Sequence, residues 1–174
     1  KEYASDYRYF PEPDLPPLTI DGTLVEAIRE GLPELPQARR ARFVEEYGLP
    51  LYDARLLTAS KSHADYFEAV VKARPDSGAD GQGLSKAVSN WMLGELARLL
   101  NASGKDLEDV NLPPEHVVEL LDLIDAGTLS TGIARTVFEE MFNTGRSPKA
   151  IAERTGMAQI SDTDVVQAAV EQAI

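Results

Sequence analysis

Two groups of basic residues stand close enough together in the sequence to grip phosphates. Arg39, Arg40 and Arg42 fall within one helical turn, with Arg29 a helix earlier, and Arg135, Arg146 and Lys149 flank a turn between two helices. Phosphate contacts come from such local groupings, whatever the net charge of a chain. Acids stand near both groups, Glu34, Glu45 and Glu46 by the first and Glu139 and Glu153 by the second, so internal pairing competes with anion binding. Enzyme chemistry has fewer candidates. His63 and His116 lie 53 positions apart. His63 precedes Phe67 by one turn and reads as a core-edge residue, and a helix would turn Asp65 away from it. His116, near a helix start, reads as a surface residue. There is no cysteine, hence no disulfide, thiolate nucleophile or Cys-ligated zinc. No phosphate-loop, dinucleotide or nucleophile-elbow motif occurs, and GADGQG at 78–83 lacks the lysine and preceding strand of a phosphate cradle. No catalytic, cofactor or metal residue is assigned.

The charge balance narrows the partners. The 174 residues carry 17 Lys+Arg against 29 Asp+Glu, a formal net charge of −12, which excludes a uniformly basic nucleic-acid binder. The acidity is local: residues 76–145 hold 4 basic and 12 acidic groups, against 10 and 13 in 1–75 and 3 and 4 in 146–174. Between Lys105 and Arg135 there are seven acids, Asp106 to Asp125, and no Lys or Arg; this reads as a solvated helix face with its loop, a metal site or ammonium-binding surface being the alternatives. With 43% hydrophobic residues the chain is long and apolar enough to bury a core. No run of eighteen apolar residues exists to span a membrane, and the opening residues do not read as the apolar core of a signal peptide. A chain without cysteine fits any compartment; the cytoplasm is the expected one.

The elements that must position these groups are helical. Residues 1–10 hold Tyr3, Tyr7, Tyr9 and Phe10, and four prolines follow in PEPDLPP at 11–17, an extended arm that excludes helix. From residue 21 apolar residues recur at helical spacing. Leu24, Ile28 and Leu32 mark a first helix, and Pro36 opens a second that runs to Tyr47 before Gly48. A short helix follows Pro50, and Ser60 is placed to cap the next. PDSGADGQG at 75–83 reads as a loop, then Leu84 to Leu100 as a long helix ending near Asn101, then 102–113 as an acidic loop. Val117 to Ile124, Ile133 to Met141 and a short helix from Ser147–Pro148 are stopped by Gly127, Gly145 and Gly156. Ser161 and Asp164 resemble a capping box before a last helix, whose stripe reaches Ile174. The expected fold is all-α, an array of small helical bundles preceded by an extended aromatic and proline-rich arm.

The string DYRYFPEPDLPPL at 6–18 closely resembles a signature of the B subunit of aspartyl/glutamyl-tRNA amidotransferases, the GatB family. The likeness continues in order through LPELPQARRARFVEEYGL at 32–49, ADYFEAVVKA at 64–73, NWMLGEL at 90–96, AGTLSTGIARTVFEEMFNTG at 126–145 and GMAQISD at 156–162. It implies a section of a longer protein. Residues 1–19 would be the end of a kinase-like cradle, and 20–158 a helical domain with halves 20–104 and 112–158. Residues 159–174 would begin a YqeY-like tail that continues beyond Ile174.

The resemblance also implies a job. The full subunit would be part of a glutamine-hydrolysing ligase. It would convert Glu-tRNA(Gln) to Gln-tRNA(Gln), Asp-tRNA(Asn) to Asn-tRNA(Asn), or both, by ATP-dependent phosphorylation and then amidation. ATP and magnesium would belong to the cradle, with no cofactor in this section and no activity in it alone. The partners implied are tRNA and the amidotransferase A and C subunits, without a membrane. The helical part would hold tRNA by shape and backbone, and Lys86, Arg135, Arg146 and Lys149 are the candidate contacts. Gly132 stands where relatives often carry a lysine before Ile133, which weakens that contact region. The alternative is a helical protein–protein adaptor without RNA binding.

Overall fold

The computed structural model describes residues 20–74 and 81–156, and all its regular elements are helical. The expected arm over 1–19, most of the 75–83 loop and the last helix lie outside the described residues. The chain divides between Leu35 and Pro36 into two compact units.

In the first unit, α1 (Gly22–Gly31) starts at Asp21, whose carboxylate accepts from the Thr23 amide at 3.2 Å and the Thr23 hydroxyl at 2.6 Å. Those bonds satisfy a helix-end donor and hold the Asp21 carboxyl below its usual range. Leu24, Val25 and Ile28 form an apolar face that stays exposed.

The second unit holds the core. Its helices are α2 (Pro36–Tyr47), α3 (Leu51–Leu57), α4 (Lys61–Lys72), α5 (Gly81–Trp91), α6 (Ala97–Ser103), α7 (Pro114–Asp125), α8 (Thr131–Thr144) and α9 (Pro148–Thr155). Helix α2 packs on α3 and α5, α4 packs on α5 and α7, and α7 packs on α8 and α9. Phe43, Tyr47 and Phe67 make an aromatic cluster with centroids 5.0–5.3 Å apart. Trp91 meets Phe138 at 5.2 Å and carries the core from α5 to α8. Burial follows the helical period: Val117, Val118, Leu120 and Leu121 in α7, and Ala134, Val137, Phe138, Met141 and Phe142 in α8.

Three local readings of the sequence are corrected. Helix α5 begins at Gly81, inside the stretch that reads as loop by composition. In its first turn the Gln82 side chain lies over Gly48, where an added Cβ would stand 2.8 Å from Gln82 Cδ. Ser60 occupies the cap position of α4, but its hydroxyl makes no cap bond and instead pairs with Ser62 Oγ at 2.8 Å. The long helix is continuous from α5 into α6, but widens into a π turn over Met92–Leu96. Gly94 lies within that turn, the residue type that least resists its geometry.

The 102–113 segment is anchored rather than loose. It contains a 3₁₀ turn at Leu107–Asp109, and Leu107 and Leu112 are buried. Tyr66 donates its hydroxyl to the Leu112 carbonyl at 2.9 Å, tying α4 to this segment. Burial pushes the Tyr66 phenol well above its usual range, and the Glu115 carboxylate adds to the effect. The folded chain therefore keeps that proton where the unfolded chain loses it. The contribution is intact below the ordinary phenol value of about 10 and declines as pH rises past it. Tyr66→Phe is expected to cost about 1 kcal/mol in urea unfolding at neutral pH, since the Leu112 carbonyl loses its partner.

Candidate functional site

The four candidate contacts fall into separate places. Arg146 and Lys149 come together at the α8–α9 turn, and both are exposed. The turn is built by two caps. Helix α8 ends at Gly145, with φ +70°, whose amide donates to the Met141 carbonyl at 2.7 Å. Helix α9 begins at Ser147, whose hydroxyl accepts from the Ala150 amide at 3.4 Å, with Pro148 at its first position. Neither cation has an ion-pair partner among the described residues. They flank the amino end of α9, where the helix dipole adds positive potential.

Arg135 does not flank this turn, as the sequence spacing implied. It sits in the second turn of α8, about 14 Å along the helix axis from Thr144. Its Nε lies 3.1 Å from Glu95 Oε1, not beside the expected Glu139. Glu139 instead takes Arg98 at 3.1 Å. Lys86 stands on α5 and donates to Asp53 Oδ2 at 2.6 Å, an oxygen that also accepts from Ser89 Oγ at 3.1 Å. Asp53 is buried, so Lys86 balances an internal charge. No contact joins Lys86 or Arg135 to the Arg146–Lys149 pair.

Two members of the first basic group, Arg39 and Arg42, are turned inward on Glu68, which the sequence does not single out; Arg29 pairs with Glu26 on the surface, and the Arg40 Nε is buried without a hydrogen-bond partner among the described residues. Glu68 of α4 accepts from Arg39 Nε at 3.0 Å, from Arg42 at 2.6 Å and from Lys72 Nζ at 3.2 Å. Arg39 also reaches Asp65 at 2.6 Å, and Arg42 reaches Glu46 at 3.2 Å. Both guanidinium groups stack over the Phe43 ring, at 5.7 and 5.6 Å from its centroid. Burial by itself would raise the Glu68 carboxyl, but hydrogen bonds from Arg42, Lys72 and Arg39 hold it below its usual range. This cluster is structural. Of the acids near it in sequence, Glu46 takes part.

The acidic stretch is mostly solvated: Asp106, Glu108, Asp109, Glu115, Asp122 and Asp125 are exposed. Asp122 and Asp125 both face Arg74, at 3.2 and 3.7 Å. His63 lines an open cleft of about 370 Å³ with Leu100, Asn101, Lys105 and Asp106. Its Nδ1 is buried without a partner, as is that of His116. Among the described residues no three His, Asp or Glu converge as metal ligands, and no helix is long and apolar enough to cross a membrane.

Among the described residues the fold is all-α and its enzyme-type side chains are dispersed; Arg146 and Lys149, exposed and without an ion-pair partner among them as Arg55, Lys61 and Lys105 also are, are the two that stand together at a capped helix turn. Comparison with known proteins gives the family. Residues 65–174 match the GatB domain family model, and the chain belongs to that family. It is 49% identical over 174 residues to the aspartyl/glutamyl-tRNA(Asn/Gln) amidotransferase B subunit of Carboxydothermus hydrogenoformans. It is 47% identical over 177 residues to the same-named protein of Caldicellulosiruptor bescii, and 48% over 174 residues to that of Thermoanaerobacter sp.. Each alignment covers 100% of this chain but only 34–35% of the relative, so the chain spans about a third of their length.

Proposed function

We propose that this chain is the tRNA-holding helical portion of an amidotransferase B subunit. The whole protein would convert Glu-tRNA(Gln) to Gln-tRNA(Gln), Asp-tRNA(Asn) to Asn-tRNA(Asn), or both, together with A and C subunits. A carboxylate resists attack by ammonia; phosphorylation turns it into an acyl phosphate with a good leaving group. In this reading 1–19 end the cradle, 20–158 form the helical domain in halves 20–104 and 112–158, and 159–174 begin the YqeY-like tail. ATP and magnesium are assigned to the cradle. Among the described residues no three His, Asp or Glu converge to hold magnesium.

The observation that supports RNA holding is the pair Arg146 and Lys149, exposed and without an acidic partner among the described residues, where Lys86, Arg98 and Arg135 all have one. Cations already matched by a carboxylate must give it up to meet a phosphate; these two need not. Filter binding of a tRNA transcript across a salt series tests it. Arg146→Glu with Lys149→Glu is expected to weaken binding by about tenfold or more and to flatten the salt slope by about two. Unchanged affinity removes the assignment. A second reading, a protein–protein adaptor, is favoured by the exposed Leu24, Val25 and Ile28 face of α1. Capture of A or C subunits without any tRNA binding is the result that selects it.

A further inference from the structure

Asn111 reaches the α8–α9 turn from the acidic segment that precedes α7. It is the apex of a three-residue turn, closed by the Leu112 amide donating to the Val110 carbonyl at 3.0 Å. Both neighbours are fixed. Val110 packs against the core, and Leu112 is buried, with its carbonyl bonded to the Tyr66 hydroxyl at 2.9 Å. Asn111 itself is exposed. Its side chain lies against Gly145, where an added Cβ would stand 2.6 Å from Nδ2 and 3.2 Å from Cγ. Arg146 follows Gly145 in the chain, so the carboxamide stands at the turn that carries Arg146 and Lys149.

The other polar side chains of that turn are committed to the backbone. Asn143 donates from Nδ2 to the Glu139 carbonyl at 2.9 Å, and Thr144 donates its hydroxyl to the Glu140 carbonyl at 2.7 Å. Ser147 accepts from the Ala150 amide at 3.4 Å. The Asn111 carboxamide, with two N–H donors and a carbonyl oxygen, has no hydrogen-bond partner among the described residues. Three uncommitted polar side chains therefore meet here, Arg146, Lys149 and Asn111. Charge fits the same picture: Asp106, Glu108 and Asp109 precede Asn111, and the segment presents an uncharged donor where it meets the basic turn. Side-chain amides contact nucleic-acid phosphates alongside Arg and Lys. Resting on the tRNA reading above, we propose that Asn111 is a third contact of the α8–α9 site, donating a carboxamide N–H to a backbone phosphate oxygen of the RNA whose charge Arg146 and Lys149 neutralise.

Binding of a tRNA transcript to the full chain across a salt series tests this. Asn111→Ala is expected to weaken binding about fivefold and to leave the salt slope unchanged, because a neutral donor releases no counterion. In the background of Arg146→Glu with Lys149→Glu, the same change should add nothing, since the phosphate is no longer held there. A purely structural Asn111 would lower the melting temperature and leave the affinity of the folded chain as in the parent. Thermal melts followed by circular dichroism identify a misfolded variant, and Asn111→Leu, apolar and of similar size, then takes its place. Unchanged or tighter affinity without the carboxamide, or a loss that persists in full in the double-Glu background, overturns the inference. If Arg146→Glu with Lys149→Glu still weakens binding in those conditions, the tRNA reading stands and only the role of Asn111 falls. If the parent chain binds no tRNA, both fall.

Discussion

Replacing Glu68 by Gln is expected to lower the unfolding free energy by about 3 kcal/mol, a large part of the stability of a domain this size. Glu68 is 11% exposed at its side chain and Arg39 14%, so these charges are largely withdrawn from water. Glutamine retains the shape but removes the charge that matches Arg39, Arg42 and Lys72. Two other acids on the arginines, Asp65 and Glu46, are 51% and 54% exposed and more weakly coupled through solvent. The stack of both guanidinium groups on Phe43 then lacks its anchor at the heart of the aromatic cluster. Lys72→Ala is the matched control, since Lys72 is 71% exposed and its loss is expected to change stability by no more than about 0.5 kcal/mol. The pH dependence carries a second signature. The Glu68 carboxyl is held below its usual range in the folded chain. Its contribution is therefore present above the ordinary carboxylate value and is lost as pH falls through the lowered one. Urea unfolding at pH 7 and in mild acid should show the gap between parent and Glu68→Gln narrowing as the solution is acidified.

That network also marks where the sequence is legible and where it is not. Helix ends are written locally, and they read well: Pro36, Pro114 and Pro148 begin helices, and Gly127, Gly145 and Gly156 follow their ends. The same holds for the stripe of α8, since burial repeats with the helix period. Charge pairing is not local. Arg39 and Arg42 find Glu68 across 29 and 26 residues, and Arg135 finds Glu95 on another helix. Nearness in sequence points to Glu34, Glu45 and Glu46, of which Glu46 does reach Arg42, and to Glu139 and Glu153. The π turn is equally silent, because the stripe from Leu84 to Leu100 fits a regular helix. For the candidate site, the sequence supplies residue types but cannot rank them. Only the pairing of Lys86 with Asp53 and of Arg135 with Glu95 separates matched cations from the unmatched Arg146 and Lys149.

The turn that carries those two cations depends on a residue without a side chain. Gly145→Ala is expected to cost about 2.5 kcal/mol, against about 1 kcal/mol for Gly127→Ala. The two glycines share φ +70°, so the backbone penalty for an alanine is the same at both. Their surroundings differ. An added Cβ at Gly127 meets nothing within 4 Å, whereas at Gly145 it would stand 2.6 Å from Asn111 Nδ2 and 3.1 Å from the Asn111 carbonyl oxygen. The first contact is a side-chain end and can swing away. The second is backbone, held close to Leu112, whose carbonyl Tyr66 grips. The Asn111→Ala change is thus expected to restore part of the loss in Gly145→Ala, but not all of it. Where strain remains, the chain yields at the turn itself, and Arg146 and Lys149 move with it. In tRNA binding, Gly145→Ala should therefore lose affinity at temperatures where it is still folded, while Gly127→Ala, which strains the end of α7 alone, should bind as the parent does. Equal affinities for the two would separate the turn from the RNA contact.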